Sequence, residues 1–258
     1  MLFAVDIGNT NIVVGCCKDD KILFIERIST NQTATVLEYA VSIKNVLELN
    51  NIKPEEIEGS IISSVVPSVT NAVNEAIIKT IGVTSLIVGP GIKTGLSIVI
   101  DNPAQLGSDL VVDSVAGLAY YPLPLAVIDM GTATTITVVD KNKCCIGGLI
   151  IPGVRVSLDS LIGKTAQLPK ISLEAPKKVI GRNTIDCMKS GIIYSTAGSI
   201  DGVIDRLEEE MGEKLNVVAT GGLAQLIIPH CKHDIILDNE LLLKGLMVIY
   251  NKNKSQNN

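Results

Sequence analysis

Asp6-Ile7-Gly8-Asn9-Thr10-Asn11 and Asp129-Met130-Gly131-Thr132-Ala133-Thr134-Thr135 are two versions of one arrangement, with their aspartates nearly half the chain apart. In each, a carboxylate can orient a hydrated cation, a glycine two positions on lets backbone approach a phosphate, and Thr or Asn offers short hydrogen-bond donors. That is chemistry for phosphate and a metal ion. A single Asp-x-Gly is ordinarily a turn, because Asp bonds to its own backbone and Gly accepts positive φ. The duplication is what points to function, and it implies two facing lobes.

Each aspartate must be delivered by a strand. Leu2-Phe3-Ala4-Val5 and Leu125-Ala126-Val127-Ile128 are apolar runs that end at the acid and return as a second apolar run. The first half reads as a β-meander over 2–6, 11–17 and 21–28, a helix over 35–49, a strand over 60–66, a helix from Pro67 through Ile81 and a strand over 85–88. The order is β-β-β-α-β-α-β. Gly, Pro and Asn interrupt 89–107 before a helix near 108–120, and Pro122-Leu123-Pro124 marks the lobe boundary. The second half repeats the meander over 125–130, 134–140 and 143–150. Helices from Pro152-Gly153 and over 184–212 follow, then a strand over 216–219 ending at Thr220-Gly221-Gly222, and helices near 223–228 and 240–250. The expected domains are therefore 1–121 and 122–258, with a disordered polar tail from about 251.

Composition narrows the class. Apolar residues make up 47% of the 258 and aromatics only 3%, so the core must be built from Val, Ile, Leu and Ala, as in buried parallel strands flanked by helices. A net charge of -5 without any Lys/Arg cluster argues against a general nucleic-acid binder. No long uninterrupted apolar stretch suggests a signal peptide or a membrane span, so a cytoplasmic location is expected. Cys16-Cys17 and Cys144-Cys145 lie in strands and are read as buried reduced thiols. His230-Cys231-Lys232-His233 lacks the second ligand pair that a zinc site needs. Gly191 and Gly198, inside the longest helix, are read as allowing close packing. Gly89 to Gly95 contains Lys93-Thr94 but not P-loop spacing, and is read as a structural or substrate-bordering loop.

Taken together, the motifs resemble the type III pantothenate kinases, within the superfamily of actin, sugar kinases and heat-shock ATPases. The resemblance spans nearly the whole chain. It rests on Asp6-x-Gly8-Asn9-Thr10, Gly89-Pro90-Gly91-Ile92-Lys93-Thr94-Gly95, Asp101-Asn102-Pro103, Gly107-x-Asp109, Asp129-x-Gly131-Thr132-Ala133, Gly147-Gly148, Pro152-Gly153, Gly181-x-Asn183-Thr184 and Thr220-Gly221-Gly222. It implies an α/β fold of two ribonuclease-H-like lobes facing each other across a nucleotide cleft, with a substrate loop over 89–110, and a homodimer. It also implies a reaction, ATP-dependent phosphorylation of the primary hydroxyl of pantothenate at the start of coenzyme A synthesis. Carried over by position, Asp6, Ile7, Gly8, Asn9, Thr10, Asn11, Ile12 and Val13 hold the phosphates of ATP and its Mg2+, and Thr132 adds a nucleotide contact. Asp129 matches the ligand of a monovalent cation, K+ or NH4+. Asp109 matches the proton acceptor, and Gly107, Ser108, Leu110 and Thr184 line the substrate site with it. Phosphoryl transfer needs positioning and charge neutralisation more than covalent chemistry, so these residue types suffice.

Three positions depart from the family pattern. Leu110 stands where Arg is usual, Ile100 where an aromatic residue is common, and Asp113 where Asn is usual. All three changes fall on the acceptor side. A second reading therefore accompanies the first, a divergent paralogue with an altered acceptor or a non-catalytic regulatory relative.

Overall fold

The protein is described by a computed structural model over residues 1–254. It divides into two compact units, one formed by Met1–Leu96, Asp101–Ala119 and the described residues from Glu240 onward, the other by Ser97–Ile100 and Tyr120–Asn239. In the first unit the chain runs β1 (Leu2–Ile7), β2 (Asn11–Lys18), β3 (Lys21–Ser29), α1 (Val36–Leu49), β4 (Gly59–Ser64), α2 (Pro67–Ile81) and β5 (Ser85–Ile87). Their sheet order is β3-β2-β1-β4-β5, antiparallel across the meander and parallel from β1 through β4 to β5.

Local chemistry fixes these elements. Thr35 and Glu38 form a reciprocal capping box that starts α1, while Pro67 at the first position of α2 and left-handed Gly82 after its end bound the second helix. Alternation along the strands then gives the sheet two faces. Phe3, Val5 and Ile7 of β1, with Ile12, Val14 and Cys16 of β2, pack on Tyr39, Ile43 and Leu47 of α1 and Val69, Val73 and Ile77 of α2. Leu2, Ala4 and Asp6 face the other way.

The middle of the chain forms β6 (Ser97–Ile98) and α3 (Ser108–Tyr120). The second unit continues with β7 (Leu125–Met130), β8 (Ala133–Val139), β9 (Cys144–Pro152), α4 (Val154–Gly163), α5 (Thr184–Met211), β10 (Asn216–Thr220), α6 (Ala224–Ile227) and β11 (Ile236–Leu237). Its order, β11-β10-β7-β8-β9-β6, repeats that of the first sheet with β6 added beside β9. Ala126, Ile128 and Met130 pack on Ile193, Ala197, Ile200 and Ile204 of α5, which leaves Asp129 on the opposite face, as Asp6 is in the first sheet.

The last helix, α7 (Leu241–Lys254), returns to the first unit. It lies on the face of β1 and β4 that carries Asp6, and the sheet is built to receive it. A Cβ at Gly15 would come within 2.5 Å of Leu243, and one at Gly59 within 1.8 Å of the Tyr250 hydroxyl. Asn253 also clasps the backbone of Lys93, accepting from its N–H at 3.1 Å and donating to its carbonyl at 2.9 Å.

Several sequence expectations are corrected here. The boundary near residue 121 misassigns α7, because its apolar face belongs to the first sheet, and Ser97–Ile100 belongs with the second unit because β6 pairs with β9. Residues 251–254 of the expected disordered tail continue α7, and 255–258 lie outside the described residues. Gly191 and Gly198 meet nothing within 4 Å of a hypothetical Cβ and are exposed, so they are not sites of close packing within the chain. All six cysteines are free; Cys16, Cys17 and Cys145 are buried, whereas Cys187 is exposed. The His230–His233 segment is tied structurally, with Asp201 accepting the N–H groups of Lys232 and His233 and Asp205 paired with the His233 ring at 2.9 Å. Among the described residues no helix is long and apolar enough to cross a membrane.

Candidate active site

In the first unit, Asp6 is the penultimate residue of β1, only 8% exposed, and pairs in register with Val13 of β2 and Ser63 of β4. The turn that follows is closed by the Gly8 N–H donating to the Asn11 carbonyl at 3.0 Å. Thr30, just past β3, braces it from beside, its hydroxyl donating to the Gly8 carbonyl at 2.7 Å and its N–H to the Thr10 carbonyl at 3.0 Å. Asn9, Thr10 and Asn11 are left exposed, the arrangement a phosphate-binding turn requires. The side chains of Ile7 and Ile12 are committed to the hydrophobic core, and Val13 is half-buried. Any ligand contact of Ile7 or Ile12 therefore falls to backbone.

Gly107, Ser108, Asp109 and Leu110 form the entry to α3. The Leu110 N–H donates to Asp109 Oδ1 at 2.9 Å, so the backbone at the position where an Arg is usual helps hold the carboxylate. Burial pushes the Asp109 carboxyl above the ordinary aspartate value, opposed by the N–H groups of Leu110 and Asp109. A Cβ at Gly107 would stand 2.4 Å from Asp109 Oδ1, so any side chain there would push the carboxylate from its place. The Ser108 hydroxyl turns inward, accepting from the Ser63 hydroxyl and the Ser64 N–H, each at 3.0 Å, and donating to the Ser64 carbonyl at 2.9 Å. One turn along, Asp113 is buried on the same helix.

The second unit carries the other copy. Asp129 pairs in register with Thr135 of β8 and Thr220 of β10, so both hydroxyl side chains share its face of the sheet. The turn is one residue shorter than its counterpart and is closed by the Gly131 N–H donating to the Ala133 carbonyl at 3.0 Å. Two glycines let backbone crowd the acid and the turn. Gly221, at φ +96°, has no room for a Cβ, which would lie 2.5 Å from Asp129 Oδ1, and a Cβ on Gly153 would lie 2.1 Å from the Thr132 carbonyl. The Thr135 hydroxyl is buried without a hydrogen-bond partner among the described residues. A carboxylate, an unsatisfied hydroxyl and nearby carbonyls are an all-oxygen set, which suits a hard monovalent cation. Thr184 is the first residue of α5 and is exposed; Asn183 caps that helix instead, accepting the Asp186 N–H at 2.9 Å.

Thr30, Ser63 and Gly153 were not singled out as site residues from sequence. Their roles come from register and turn closure between distant segments, although Pro152-Gly153 was visible as a motif.

Two sheets of one strand order, each carrying an Asp-x-Gly turn after its central strand, define an α/β fold built from two ribonuclease-H-like units. A solved structure provisionally assigned as a 2-dehydro-3-deoxygalactonokinase from Sinorhizobium meliloti is similar in fold at a TM-score of 0.64 and 12% identity, over 98% of this chain and 97% of that one. The sequence model for type III pantothenate kinase matches residues 2–206. A type III pantothenate kinase of Exiguobacterium sp. is 42% identical over 254 residues, spanning 98% of this chain and all of the relative. That of Halalkalibacterium halodurans is 40% identical over 253 residues with the same coverage. The chain belongs to the type III pantothenate kinase family.

Proposed function

We propose that the protein transfers the γ-phosphoryl group of ATP to the primary hydroxyl of pantothenate, giving 4'-phosphopantothenate and ADP at the first step of coenzyme A synthesis. The observation that carries this reading is Asp109, a carboxylate withdrawn from water and aimed by backbone N–H groups at the start of α3, on the unit that also bears the Asp6 turn. As the acceptor oxygen bonds to phosphorus and the bridging bond to ADP breaks, Asp109 takes the hydroxyl proton. In a loose transition state the hydroxyl proton becomes easy to lose only as the new bond to phosphorus forms, so the reach of the carboxylate matters more than its basicity.

Asn9, Thr10 and Asn11 bind phosphate oxygens through N–H and side-chain donors, Gly8 closes the turn that presents them and lets the phosphate approach its backbone, and Asp6 orients the hydrated Mg2+ that accompanies ATP. In the second unit, Asp129 holds K+ or NH4+ with Thr135 beside it, and Thr132 contacts the nucleotide. Such cations supply charge neutralisation for the phosphates. Gly107, Ser108, Leu110 and Thr184 border pantothenate. Leu110 cannot supply a charge to the pantothenate carboxylate, so that charge must come from elsewhere or be met by water. The protein acts in the cytoplasm as a homodimer. Exposed Ile146 and Ile150 on β9, the latter 79% exposed, support the assembly as apolar surface that a second copy would cover.

A coupled ADP-release assay tests the reading, with pantothenate, related alcohols or no acceptor, each with and without potassium. Turnover should require pantothenate and a monovalent cation, and Asp109→Asn should lower kcat by roughly 10²-fold or more. ATP binding without turnover on pantothenate, or full activity in Asp109→Asn, would overturn it.

A further inference from the structure

We propose that Ser63 is a positioning residue for phosphoryl transfer, holding the first turn of α3 and with it Asp109 through the Ser108 hydroxyl. The inference rests on the proton-accepting role given to Asp109 above. Ser63 is fully buried in β4 and stands beside Asp6 in the parallel ladder, on the same face of the sheet. Its hydroxyl donates to Ser108 Oγ at 3.0 Å.

A serine hydroxyl has one proton and two acceptor lone pairs. At Ser108 all three are used: the Ser63 hydroxyl and the Ser64 N–H fill the lone pairs, and the proton goes to the Ser64 carbonyl. Nothing of the hydroxyl remains for an acceptor substrate, so any substrate contact at Ser108 comes from its backbone. The hydroxyl instead fastens the helix that begins with Ser108-Asp109 to the end of β4. Because β4 is paired with β1, the same triangle joins the strand bearing Asp6 to the helix bearing Asp109. Ser63 is the member of the triangle that comes from the face of the sheet on which Asp6 lies.

A plain core serine, satisfied locally and indifferent to catalysis, makes a different prediction. Removing its hydroxyl should then cost stability alone. If Ser63 positions Asp109, Ser63→Ala should lower kcat about tenfold while leaving the KM for ATP unchanged, since a displacement of under an ångström suffices. Ser63→Ala added to Ser108→Ala should cost nothing further, because both act through one hydroxyl. Hydrogen–deuterium exchange should quicken over residues 106–112 in Ser63→Ala. Unchanged kcat with a lowered melting temperature, losses that multiply in the double variant, or unchanged exchange would each overturn the proposal. If the wild-type protein fails to phosphorylate pantothenate, the functional reading falls, and the exchange measurement still decides the role of Ser63. Should Ser63→Ala not fold, Ser63→Cys, with a weaker donor of similar size, carries the same comparison.

Discussion

Asp109 shows how one side chain can work against the fold that holds it. Burial raises its folded-state pKa above the ordinary 3.8, so the folded protein binds the proton more tightly than the unfolded chain does. The favourable contribution of this group is then fully present only at low pH. It is lost as pH rises from the ordinary carboxylate value through the raised one, and at neutral pH the ionised, buried carboxylate costs stability. Asp109→Asn, which lowers turnover, should therefore leave the melting temperature at pH 7 unchanged or raised. The difference from wild type should shrink as pH falls toward 4. Thermal melts across that range check it, and a variant less stable than wild type at pH 7 but not at low pH would contradict the sign. Asp6 and Asp129 were legible in the sequence because a carboxylate at the end of an apolar run, two residues before a glycine, has a chemical signature, whereas Asp109 follows no such run and was reached only through the family resemblance of Gly107-x-Asp109. Ser63 and Thr30 were not, because a hydroxyl shows its purpose only when the strand register reveals what it touches.

At the scale of elements, the meander and the long helices were legible because each carries many residues of one period. The two-residue strands β6 and β11 are too short to show any period and appear only through their partners, β9 and β10. The packing of α7 was hidden for another reason. Its apolar stripe says that it must be buried, but the surface that receives it is marked by absent side chains at Gly15 and Gly59. Gly59→Ala tests that fit. The added Cβ would stand 1.8 Å from the Tyr250 hydroxyl and 2.6 Å from Cζ, a rigid ring that must move with its helix. Overpacking of this kind costs about 1–3 kcal/mol. Chemical denaturation should show a loss of that size, and a second substitution, Tyr250→Ala, should recover part of it. A Gly59→Ala protein as stable as wild type would mean that Tyr250 swings away freely.

The whole molecule repeats one strand order twice, and that much followed from the duplicated Asp-x-Gly. The path of the chain did not, because sequence order gives no hint that the C-terminal helix completes the N-terminal sheet. Deleting residues 240–258 puts this to a sharp test. The deletion removes the buried side chains of Leu241, Leu243, Leu246, Met247 and Ile249 and uncovers the face of β1 and β4 beneath. At about 1.5–3 kcal/mol for each buried apolar side chain, the loss is of the order of the 5–15 kcal/mol that stabilises a typical domain. The second unit keeps its own core of β7, β8 and β10 on α5 and α6, none of which is cut. The truncated chain should therefore lose hydrogen-exchange protection across 1–96 and 101–119 while retaining it across 125–220. It should also lose the Asp6 turn and Asp109 as ordered groups, and with them all ATP-dependent turnover. Protection that survives in β1 and β4 would show that α7 merely decorates the first unit, and uniform loss throughout the chain would show that the two units fold as one.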